Sequence, residues 1–122
     1  MTVVYEEGSK VAWLIRDGEV LAALDVAETF GARFSGLRGR DGVDGALLLR
    51  PCRSVHTFGM RFPIDVAFCR RHGETFVVMS VVEMRPWRLG RPRPRATCVI
   101  EAEAGAFGRW RLLPGDELEI KG

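Results

Sequence analysis

Phe62-Pro63-Ile64-Asp65-Val66-Ala67-Phe68-Cys69 is an apolar run with a single charge inside it. Pro63 holds the entry extended, and the β-branched and aromatic residues that follow suit a pleated surface. Polar and apolar positions do not alternate here, so the run reads as a strand buried on both faces. Asp65 must then be hydrogen-bonded or paired, because an unpaired buried carboxylate is costly enough to take up a proton instead. Arg33 or backbone N–H groups are the expected donors. Just upstream, residues 52–61 carry His56, one of two histidines in the chain, followed by Thr57 and, after Phe58, by Gly59. A glycine-broken stretch leading into a buried strand predicts His56 at the exposed rim of a pocket, with Asp65 inside it.

On either side of this stretch the chain reads as short strands. Residues 11–16 and 19–24 flank Asp17-Gly18, a dipeptide that suits the two-residue hairpin turn because both positions need positive φ. Residues 46–49 form a short apolar strand closed by Pro51. A turn at residues 71–74 leads to a β-branched strand at 75–82. Residues 97–102 form a further strand, residues 105–113 hold a helical turn, and Leu113-Pro114-Gly115-Asp116 feeds a last strand at 117–120. Only one segment predicts a full helix: Asp25 as N-cap with Glu28 three residues on, then an apolar stripe of Val26, Phe30, Phe34 and Leu37, ended by Gly36 or Gly39. The expected architecture is α+β and mainly β: a small curled or barrel-like, mostly antiparallel sheet with one packed helix, as a single domain over residues 1–122.

Composition sets the outer bounds. A chain of 122 residues with 47% hydrophobic and 28% charged residues has the profile of one globular domain with its own core. A net charge of only +2 argues against nucleic acid as a partner. No apolar run approaches the roughly 20 residues of a membrane helix, and the N-terminus has no basic, apolar leader pattern. Three cysteines, an odd and sparse set in apolar surroundings, read as reduced and structural in a cytoplasmic chain.

Several ordered motifs, taken together, resemble the domain of unknown function 192 family. They are Arg33-x-x-Gly36-Leu37-x-x-Arg40, His56-Thr57-Phe58-x-Met60, Pro63-Ile64-Asp65-x-x-Phe68, Ile100-Glu101-x-x-x-Gly105 and Pro114-Gly115-Asp116. The resemblance runs over residues 26–120. It implies a compact β-rich domain without an established activity, and it lifts Glu101 as a second acidic member of a pocket.

The candidate site is therefore a ligand-binding set of His56, Thr57, Asp65, Arg33 and Glu101, taking a small polar ligand or a protein segment. A structural role for Arg33 and Asp65, tying helix to sheet, explains the same residues. The enzymatic alternative is a hydrolase-like site with Asp65 and Glu101 as acid and base beside His56, although no serine elbow or nucleophilic cysteine motif accompanies it. Glu101 and Glu103 share one strand face, which reads more simply as solvated. Cys52-x3-His56 and Cys69-x2-His72 can be written as zinc ligands, but neither cysteine has Cys-x-x-Cys spacing, and no metal or other cofactor is expected. Residues 85–95 hold five arginines, three prolines and Trp87. They read as a solvated, irregular and mobile loop, or else as an interaction module with Trp87 as its platform.

Overall fold

A computed structural model describes residues 9–27 and 45–122. Seven strands and one short helix follow in the order β1 (Ser9–Arg16), β2 (Glu19–Ala27), β3 (Ala46–Leu49), β4 (Ile64–His72), β5 (Thr75–Met84), β6 (Cys98–Glu103), α1 (Ala106–Trp110) and β7 (Glu117–Lys121). The strands close into a barrel in the order β1-β2-β3-β6-β4-β5-β7, and among these pairs only β2 and β3 run parallel. The mainly β, mostly antiparallel, barrel-like architecture read from the sequence is the one observed. Asp17 and Gly18 take φ values of 52° and 78°, the left-handed pair that the first hairpin requires.

One expectation fails at the end of this hairpin. Asp25 is not a helix cap; it lies in β2, with Val11 opposite it on β1 and Leu47 on β3. Pairing on both sides satisfies the backbone as a strand, and that outweighs a local capping signal. The rest of the predicted helix, residues 28–39, lies outside the described residues. The helix that is described, α1, falls within the helical turn read at residues 105–113.

Strand alternation sorts the core into two layers. Every strand sends side chains inward, among them Leu14, Leu24, Leu48, Ala67, Val78, Ile100 and Leu118. Phe107 of α1 and the following Leu112 join this inner layer next to the start of β4. The outer faces of β3, β4 and β6 are also buried: Leu47, Ile64, Val66, Phe68 and Val99 lie with Val55, Met60 and Ala96 from the irregular segments 50–63 and 85–97. β4 is thus covered on both faces from Ile64 to Cys69, as its unbroken apolar run implied.

A bulge adjusts the alternation where it matters for the site. Phe68 faces Ser80 while Cys69 faces Val78, so Met79 is the extra residue on β5. Beyond it Val81 turns inward, Glu83 stands directly across from Asp65, and Val82 and Met84 look outward.

Candidate functional site

Asp65 points to the inner side of β4, at the end of the barrel where α1 begins. Its Oδ2 accepts hydrogen bonds from the backbone N–H groups of Gly105 (3.0 Å) and Phe107 (3.1 Å). These are the backbone donors anticipated for a buried carboxylate. Asp65 therefore fastens α1 to β4, while Arg16 holds the other end of the helix by donating to the carbonyls of Trp110 and Arg111 and to Asp116.

His56 belongs to a different surface. It bridges Leu89 in antiparallel fashion, and the neighbouring backbone continues the contact: Thr57 N donates to Arg88 O (2.8 Å), Gly90 N to Val55 O (2.9 Å) and Arg93 N to Arg53 O (2.8 Å). Gly90 is needed for this approach, since a Cβ there would stand 2.6 Å from Val55 O. Residues 85–95 are irregular, as expected, but they are not a loose solvated loop. They form a strap bound to residues 53–57.

Thr57 is the anchor of that strap. Fully buried, it donates its hydroxyl to Arg85 O (2.6 Å), accepts from Arg88 N (2.8 Å), and receives Trp87 N on its carbonyl (2.9 Å). These bonds hold Trp87 at φ 61°, an unusual backbone for a bulky residue, and the residue is 64% exposed. The Phe58 ring lies 6.3 Å from the indole and 5.1 Å from the His56 imidazole, stacked on the latter. His56, Phe58 and Trp87 thus form one exposed aromatic row, with Leu89 beside it.

A cleft of about 650 Å³ adjoins this row through Arg88 and Leu89, and runs along Val82 and Met84. Arg85, Arg88, Arg91 and Arg93 line it, and Glu83 is the one acidic residue among its lining. The Arg93 guanidinium lies 4.3 Å over the buried Phe68 ring, so its charge is anchored to the outer core layer. Arg93→Ser is expected to cost about 1 kcal/mol in a urea melt, whereas the exposed Arg91→Ser should stay within about half a kcal/mol.

The hydrolase constellation does not assemble. Glu101 stands opposite Val66 and Leu47 on the outer side of the sheet, whereas Asp65 points inward. Adjacent strands carry the two carboxylates to opposite faces, and His56 sits exposed beside the strap. Glu101 is also buried, not solvated, although Glu103 on the same face is exposed. Arg33 lies outside the described residues. The zinc reading fares no better. Cys69 faces Cys98 inside the barrel, and the hydrogen bond between them, with burial, pushes its thiol far above the ordinary range. His72 is exposed beside Glu117 (3.5 Å), and no three potential ligands converge among the described residues.

Sequence reasoning located His56 and Trp87 separately and did not join them. No local signal could have done so, because the Thr57 contacts span about thirty residues of chain.

A family model for DUF192, described as an uncharacterized ACR, matches residues 12–120. The UPF0127 protein of Pyrococcus abyssi is 28% identical over 124 residues, covering 98% of this chain and 97% of that protein. Its counterpart from Thermococcus sibiricus is 33% identical over 100 aligned positions, covering 77% of this chain and 63% of the relative, so the chain spans less than two thirds of that protein's length. A protein of unknown function from Novosphingobium aromaticivorans shares the fold with a TM-score of 0.71 at 17% identity, over 91% of this chain and 84% of that one. A structure described as a putative transcription regulator from Sinorhizobium meliloti gives 0.67 at 20% identity, over 98% of each chain. At these identities the two likenesses establish the fold alone.

Proposed function

We infer that this chain, which belongs to the DUF192 family, is a non-catalytic binding module that takes an extended acidic protein segment across its strap. The observation that carries this reading is Trp87, held in a left-handed backbone by buried Thr57 while its indole faces outward. Backbone strain and an exposed indole both work against folding, and they persist only where the surroundings over-determine them, which points to use. The aromatic row offers contact area, and the four arginines of the adjoining cleft supply the complementary charge. An extended peptide can touch both surfaces at once.

A cytoplasmic setting accompanies this reading. Cys69 and Cys98 face each other across two strands as free thiols, which suits a reducing compartment. Among the described residues no helix is long and apolar enough to cross a membrane.

Selection from a displayed library of random peptides tests the proposal. Enriched peptides should be rich in Asp and Glu, and their binding should weaken as salt rises. His56→Ala and Trp87→Ala should fold normally, with stability within about half a kcal/mol of the parent because both residues are exposed. Both should lose the selected peptides. Peptides without acidic bias, or undiminished binding by the two variants, would defeat the reading. Tight salt-dependent binding of single-stranded oligonucleotides, lost in Trp87→Ala, would transfer the same surface to nucleic acid.

A further inference from the structure

We propose that the mouth of the barrel at the Pro51 and Thr97 end binds a small amphipathic monocarboxylate, with its apolar tail among the inward-facing side chains and its carboxylate on Arg71. The site is separate from the strap and does not rest on the reading of it.

Phe107 and Leu112 join the inner core layer at the end where α1 begins. At the other end a cleft of about 760 Å³ opens, within the range of roughly 300–1,000 Å³ that small-molecule sites occupy. Its walls are Ala12, Val26, Phe76 and Ile120, which belong to or pack against the inner layer of the barrel. Its polar rim is made by Arg50, Arg71, Glu74 and Thr97. An apolar chamber with Arg71 at its edge is complementary to a ligand that is apolar at one end and negative at the other.

Arg71 is the better-placed cation. Its backbone N–H donates to Thr97 Oγ1 (2.9 Å) and its Nε to Gly73 O (3.0 Å). The backbone of Arg71 and the Nε edge of its guanidinium are therefore held, and among the described residues its two Nη groups are open to a planar, two-oxygen acceptor. A neutral apolar ligand would forgo this contact. A dicarboxylate would place its second charge against the apolar walls, where desolvation opposes it. These two exclusions define the ligand class.

Octanoate is the probe, titrated calorimetrically into the full chain. One octanoate should bind per chain, with octan-1-ol and octanedioate each weaker by roughly tenfold or more. Arg71→Gln, an exposed change that should leave the melting temperature alone, should lower octanoate affinity by a similar factor; Arg88→Gln, in the arginine cleft, should not. In the wild type, methyl resonances of Ala12, Val26 and Ile120 should shift on saturation. Equal affinity for octanoate and octan-1-ol, unchanged binding by Arg71→Gln, shifts centred on Val82 and Met84 instead, or no saturable heat at millimolar octanoate would each overturn the proposal.

Discussion

Asp65→Ala should remove roughly 3–5 kcal/mol of stability, a large loss for one polar replacement among the described residues. The carboxylate accepts two backbone N–H groups, those of Gly105 and Phe107, at a position only 6% exposed. Removing it deletes two bonds to a charged acceptor and strands the buried Phe107 N–H, and a buried unsatisfied donor costs about 1–3 kcal/mol. The helix it holds has five residues, too few to persist by its own propensity. When α1 loosens, Phe107 and Leu112 lose their place in the inner core layer. Asp65→Asn keeps one acceptor oxygen and should lose roughly half as much. Urea melts of both variants, read by circular dichroism, measure the difference. A loss below about 1 kcal/mol for Asp65→Ala would show that the helix is held by packing alone.

Thr57→Val should cost about 2–3 kcal/mol although the two side chains have nearly the same shape. The hydroxyl both donates to Arg85 O and accepts from Arg88 N, so valine leaves a part-buried carbonyl and a part-buried N–H without this partner. The effect should extend to binding, because these bonds fix the backbone on both sides of Trp87. Thr57→Ser restores the hydroxyl and gives up one methyl group, worth about 0.8 kcal/mol. Serine should therefore keep peptide binding while valine abolishes it, at a temperature where both are folded. Equal binding by the two would mean that Trp87 holds its position without Thr57, and the strap would lose its role as a built platform.

Local chemistry made much of the fold legible. The Asp17-Gly18 turn needs positive φ at both positions, and few other dipeptides accept it so cheaply. The unbroken run after Pro63 had to be covered on both faces, which led directly to β4. The same run demanded donors for Asp65, and backbone N–H groups supply them. Each inference rests on forces acting within a few residues, so the order of the residues suffices.

The site itself was only half legible. Alternation showed that Glu101 and Glu103 share a face, but not that one end of that face is covered and the other open. The bulge at Met79 changes which β5 residues look outward, and nothing in the β-branched run marks it. Asp25 carried a sound capping signal, yet a parallel partner strand, β3, made it part of a sheet. His56 and Asp65 lie nine residues apart and were read as one pocket. The barrel wall separates them, and the strap some thirty residues downstream brings Trp87 to the His56 side instead.

The sequence alone thus determined the strands, the first hairpin, the double burial of β4 and the requirement that Asp65 be satisfied, because these follow from turn stereochemistry, side-chain period and the cost of burying charge. The tertiary structure alone decided which face of each strand is covered, which carboxylates can meet, and that Thr57 holds Trp87 on the surface, because these depend on contacts between segments far apart in the chain, and no local preference encodes where a distant segment will lie.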